Sequence, residues 1–276
     1  MSRLNLLLRR VLPLSVAAAL AFFAFVVPGA ATSQAAVPQT AAPQTVTSVC
    51  ANQAFPTGYI VAAVSPTSAC QGFLLYTVAL PSNGAKACTV GIAFPAGWVV
   101  IAGTTTGQPQ CDNLYETQTI NQPYNGILAC LGSTLPNPYV ITAISSGTYA
   151  PCSGQSMTLN QEKAGISACA NTSIWNNYVV TAVSGGTACA GYGIETLNPV
   201  HSGIVACGQG VSPSGYVITE IWSSYPGCGA TEGLQYTTPY NGIVACSNST
   251  LPAGWTVSSY KTDSTCSPFE GETLVS

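Results

Sequence analysis

Gly242-Ile243-Val244-Ala245-Cys246, followed after five residues by Pro252-Ala253-Gly254-Trp255, decides how this chain folds. It reads as a short strand, a turn and the opening of a second strand. Proline presets φ ahead of the turn and glycine can take positive φ within it. The same passage recurs upstream. Gly84, Gly126, Gly165, Gly203 and Gly242 each stand four residues before a cysteine, and Asn125, Ser202 and Asn241 precede three of them. Nine residues after the first cysteine of a unit comes Tyr59, Tyr139, Tyr178, Tyr216 or Trp255; Trp98 comes one residue later, which marks an insertion in the second unit. Pro56, Pro95, Pro213 and Pro252 open a Pro-x-Gly turn before the aromatic, and Pro136 keeps the proline. The fourth unit departs, with Trp175-Asn176-Asn177 in that place.

The cysteines set the period. Every other one, from Cys50 through Cys88, Cys130, Cys169 and Cys207 to Cys246, advances by 38, 42, 39, 38 and 39 residues. Six tandem units follow, at about 46–83, 84–125, 126–164, 165–202, 203–241 and 242–276. Each predicts three strands. In the fourth unit the β-branched run Tyr178–Ser184 is the second strand and Tyr192–Leu197 the third. Asn241-Gly242 is a hairpin signal between units. No sustained helical periodicity interrupts the pattern. The second strand is apolar on both faces, which requires more than one layer. The fold class is therefore all-β: tandem disulfide-bearing units, either closed like a propeller or stacked. The repeat length fits a propeller blade, although blades have four strands rather than three.

Twelve cysteines in an exported chain imply six disulfides. Two regular pairings fit. Pairing within units (Cys50–Cys70, Cys88–Cys111, Cys130–Cys152, Cys169–Cys189, Cys207–Cys228, Cys246–Cys266) makes each duplicated unit self-contained, and duplication favours it. Pairing between units, with Cys266 closing on Cys50, uses more uniform separations of 17–19 residues against 20–23. Each bridge is worth about 3 kcal/mol by loop-closure entropy. Zinc is not expected, because no two cysteines stand close enough in sequence for a Cys-x-x-Cys site.

Residues 1–35 are expected to be removed; the alternative is a retained membrane anchor, because an apolar run of 17 residues approaches the lower limit for spanning a bilayer. Arg3, Arg9 and Arg10, an apolar run from Val11 to Val27 and the small-residue stretch Ser33-Gln34-Ala35 form the three parts of a secretory signal peptide. A linker rich in Pro, Ala, Gln and Thr over 36–45 leads into the repeats. Localisation is then secreted, periplasmic or at the cell surface, with no later segment expected to span a membrane. The leader holds all the arginine, so the remainder has three lysines against nine acidic residues, net −6. Nucleic acid and anionic membranes need clustered Lys and Arg, and are not expected partners.

Catalytic groups are few. His201 is the single histidine and sits in a turn; no Gly-x-Ser-x-Gly elbow is present. Asp112 with Glu116, and Glu270 with Glu272, are the closest carboxylate pairs, each confined to one unit. Glu116 and Glu195 fall near equivalent places in two third strands. No calcium-loop or phosphate-loop spacing occurs. The expectation is a protein without catalysis, metal or cofactor. What repeats is the aromatic: Tyr59, Trp98, Tyr139, Tyr178, Tyr216 and Trp255 either anchor their strands in the core or form six stacking platforms for sugars. The functional expectation is a multivalent module for glycans or cell-surface polymers; a structural, envelope-associated protein is the alternative. Asn171 and Asn248 begin Asn-x-Ser/Thr sequons.

Overall fold

The computed structural model describes residues 47–103, 107–175, 177–208 and 213–276. The expected leader (1–35) and linker (36–45) lie outside the described residues. The described strands fall into six sets of three: β1 (Thr47–Cys50), β2 (Ile60–Pro66) and β3 (Leu74–Ala79); β4 (Ala85–Cys88), β5 (Val99–Gly103) and β6 (Thr117–Asn121); β7 (Ile127–Cys130), β8 (Tyr139–Ile144) and β9 (Ser156–Gln161). The last three sets are β10 (Ile166–Cys169), β11 (Tyr178–Ser184) and β12 (Ile194–Pro199); β13 (Ile204–Cys207), β14 (Val217–Trp222) and β15 (Gly233–Thr237); β16 (Val244–Cys246), β17 (Thr256–Lys261) and β18 (Gly271–Val275).

Each set is a separate antiparallel sheet with its third strand in the middle, in the order β1-β3-β2 and so on through β16-β18-β17. The first and second strands of a unit therefore run the same way, and the loop between them must travel the length of the sheet. That loop ends in the Pro-x-Gly turn. Gly58, Gly97, Gly215 and Gly254 hold φ between 84° and 88°, a conformation open to glycine at little cost. In the fourth unit Asn177 takes φ 59° instead, and the Tyr178 amide donates to the Trp175 carbonyl at 3.0 Å. Asparagine tolerates the left-handed region better than most residues, so the departure in sequence preserves the turn.

The third strand of the fourth unit starts at Ile194, two residues later than the sequence predicts. Ala190 and Gly191 are left-handed, and the Tyr192 amide closes a turn onto the Cys189 carbonyl at 3.0 Å, so the chain turns before it can extend.

All six disulfides lie within units, as duplication favours: Cys50–Cys70, Cys88–Cys111, Cys130–Cys152, Cys169–Cys189, Cys207–Cys228 and Cys246–Cys266. Six bridges in one chain belong to an oxidising, extracellular type of environment. Among the described residues no helix is long and apolar enough to cross a membrane.

The units stack in series, and no closed barrel is found among the described residues. The second strand of each unit packs on the first strand of the next: β2 on β4, β5 on β7, β8 on β10, β11 on β13 and β14 on β16. The core is a series of joints. One cluster joins Val140 of the third unit, Ile166, Ala168, Val180 and Leu197 of the fourth, and the Cys207–Cys228 disulfide of the fifth. The repeated Gly-Ile-x-Ala-Cys thus has a packing meaning. Its Ile and Ala meet the preceding unit, and its Cys seals the face of that same neighbour.

A β-bulge recurs in the second strand of every unit, with the register shifting at Val61/Ala63, Val100/Ala102, Ile141/Ala143, Val180/Ala182, Ile218/Glu220 and Val257/Ser259. A bulge frees backbone groups from the ladder. Two sets of hydroxyls bond along this part of the strand. Within a unit, Thr142, Thr181 and Ser258 donate to the carbonyls of Thr158, Thr196 and Thr273 at 3.1–3.3 Å. Between units, the amides of Val100, Ile141 and Ile218 donate to Ser133 Oγ, Thr172 Oγ1 and Ser249 Oγ at 3.2, 2.9 and 2.8 Å. Each of these last three hydroxyls belongs to the next unit, three residues after its first cysteine. They clasp one unit to another, and buried amides without such partners would cost about 1–3 kcal/mol each.

Candidate functional site

The six repeated aromatics all stand at the start of a second strand, one per unit. Tyr139 is the most enclosed, at 7% exposure. Its hydroxyl donates to the Pro123 carbonyl at 2.9 Å and accepts from Gln161 Nε2 at 3.2 Å. Tyr216 repeats the first bond, donating to the Val200 carbonyl at 3.4 Å. The hydroxyl therefore ties the strand to the turn that entered the unit, sixteen residues earlier in each case. Tyr178 packs with Val140 and Val180, and Trp255 with Val217, Ile243 and Leu251. Tyr59 is half-buried.

Trp98 is in a different setting. It is half-buried against Ile60, Val100 and Phe94, and it lines a groove of about 410 Å³ between the second and third units. The loop Gly91–Trp98 forms one wall, and Leu131–Thr134 of the third unit forms the other, with Gln118 from β6 between them. No titratable side chain lines this groove. A second groove, of about 590 Å³, lies at the fourth and fifth units and is lined by Thr181, Asn198, His201 and Tyr225. There Asn198 Nδ2 donates to Thr181 Oγ1 at 2.7 Å, while exposed His201 places Nδ1 3.1 Å from the Ser202 carbonyl oxygen.

A second aromatic series escaped the sequence reading. Phe73, Tyr192 and Phe269 each stand three residues after the second cysteine of a unit, and each amide donates to that cysteine's carbonyl at 2.7–3.0 Å. They are 49%, 49% and 41% exposed, more open than any of the six rings singled out by spacing. The signal was available as Cys-x-x-aromatic in three units. The clasp hydroxyls of Ser133, Thr172 and Ser249 were equally available as Cys-x-x-Ser/Thr.

The acidic residues stay apart in role. Glu116 and Glu270 are exposed, and Asp112 is half-buried in a left-handed turn. Hydrogen bonds from Thr265, with Lys261 at 3.3 Å, hold the Asp263 carboxyl below its ordinary pKa. Glu195 is the exception, because it is 6% exposed and burial pushes its pKa up. Its place in the sheet, opposite Ala168, is the one held by Met157 in the third unit and Leu234 in the fifth. Among the described residues no three His, Cys, Asp or Glu side chains gather as a metal site.

Comparison with protein-family models, with curated proteins and with solved structures finds no match.

Proposed function

We propose that this is a secreted, non-catalytic module that holds glycans or cell-surface polymers at several joints at once. The observation that carries the reading is the pair of grooves between units, each combining an aromatic ring with uncharged hydrogen-bonding side chains. Sugars present an apolar C–H face and a rim of hydroxyls, and such linings match both. Repetition supports multivalency, since weak sites on one rigid stack reach a polymer together. The alternative, a structural envelope protein, draws support from the five repeated aromatics outside the Trp98 groove, four of which pack into the core clusters.

A glycan array probed with the mature chain separates the two. The module reading expects binding to an immobilised polysaccharide about 10²–10⁴-fold tighter than to its free oligosaccharide unit. Failure to bind any polysaccharide leaves the structural reading in place.

A further inference from the structure

We infer that the groove between the second and third units is a site for an uncharged sugar ring, built by the one-residue insertion in the second unit; this rests on the glycan-binding reading above. The loop from Cys88 to Trp98 spans ten residues where every other unit uses nine. It has also lost the clasp. In the third, fourth and sixth units the third residue after the first cysteine is Ser133, Thr172 or Ser249, bonded to the preceding unit. In the second unit that residue is Gly91, with φ 80° and no side chain to bond with. Freed of the clasp and one residue longer, this loop supplies Phe94 and Trp98 to the groove.

The lining then selects the ligand. A volume of about 410 Å³ falls within the range of small-molecule sites. Two of its hydroxyls are already committed: Ser133 to the Val100 amide and Thr89 to the Glu116 carbonyl. The Gln118 amide and the Thr134 hydroxyl are left to meet a ligand, one offering both donor and acceptor atoms and the other a rotatable hydroxyl. Trp98 and Phe94 supply apolar faces. With no ionisable group in the lining, a carboxylate or sulfate entering the groove would shed water and gain no counter-charge. The chain's acidic balance adds repulsion for anionic sugars. A neutral pyranose ring, C–H face on the indole and hydroxyl edge on Gln118 and Thr134, fits on every count.

The test is calorimetric titration of the mature chain with neutral oligosaccharides (glucose, mannose, xylose and N-acetylglucosamine oligomers) and with uronate oligomers. Neutral oligomers are expected to bind, and Trp98→Ala and Gln118→Ala to weaken them by about tenfold or more. Trp255→Ala, at the matching repeat position, is expected to leave affinity within about twofold. Near-UV circular dichroism checks folding; should Trp98→Ala not fold, Gln118→Ala and Thr134→Ala on the groove rim carry the test alone. Unchanged affinity in the Trp98 and Gln118 variants, or a preference for uronates, overturns this site while the glycan reading stands. No binding of any oligomer or polymer overturns both.

Discussion

β11, inside the stack, and β17, at its outer face, are the same strand of the repeat in two environments. Val179 and Val180 of β11 are 2% and 1% exposed. Their counterparts in β17 are exposed Thr256 and half-buried Val257, and Tyr260, in place of Val183, is 65% exposed. The first strands show the same contrast at the other end. β1 begins with exposed Thr47 where β7, β10 and β13 bury an isoleucine. A unit of this fold cannot bury its own second strand; the next unit does so. Stability in such a stack is nearly a sum of units and nearest-neighbour joints, and outer faces must be polar to stay in water. Lys261 at the end of β17 also guards an edge that would otherwise offer unpaired backbone to another strand.

Three matched pairs sharpen this contrast. The largest effect is expected from removing a disulfide. Cys169–Cys189 and Cys50–Cys70 both span 20 residues, so loop-closure entropy is the same, about 3 kcal/mol. Cys169 and Cys189 are also sealed among Ile141, Ile144 and Met157 of the preceding unit. Cys50 is only half-buried. Replacing the interior pair by alanines is expected to cost about 1–3 kcal/mol more in urea unfolding than replacing the first pair, through lost packing. Equal costs would mean that the joints contribute nothing beyond entropy.

Next come two valines at one repeat position. Val180→Ala should destabilise by about 2–3 kcal/mol and Val257→Ala by less than about 1, because only the first leaves a cavity between units. Thermal unfolding of the two variants measures this directly, and reversal of the order would break the joint picture.

The smallest expected effect compares Glu195 with Glu272, which hold the same register position opposite Ala168 and Ala245. Glu195 is buried in a joint and its pKa is raised by burial. A raised carboxyl pKa means that the unfolded chain ionises first as pH rises. Below the ordinary glutamate value, about 4.3, neither state pays for the charge; above it, stability falls until the folded-state pKa is passed. Glu195→Leu is therefore expected to stabilise by about 1 kcal/mol near neutral pH, with the gain fading as pH drops towards 4. Glu272→Leu in the outermost sheet should give no comparable gain. A Glu195→Leu gain independent of pH would point to packing alone.

Much of this was legible without coordinates. Cysteine spacing, Gly-Ile-x-Ala-Cys and Pro-x-Gly are local signals, and the strand Tyr178–Ser184 falls where its β-branched run places it. The third strand of that unit was misplaced because Tyr192 favours extension by type but closes a turn by hydrogen bond. The clasp hydroxyls and the exposed Phe73, Tyr192 and Phe269 recur in only half of the units, so the strongest periodicities masked them. The Trp98 groove left one trace in the sequence, a single extra residue, whose consequence depends on the neighbouring unit's loop.

The sequence by itself determined that there are six units, that they are β-rich, and that two cysteines belong to each. Those properties repeat along the chain and follow from local residue chemistry. Only the tertiary structure decided that the third strand lies in the middle, that the disulfides stay within units, and that the units stack with polar outer faces. These depend on which distant surfaces meet. The same Val, Ile and Tyr pattern would serve a ring or a stack, and the choice shows only where a strand such as β17, paired with β18, meets no further unit among the described residues.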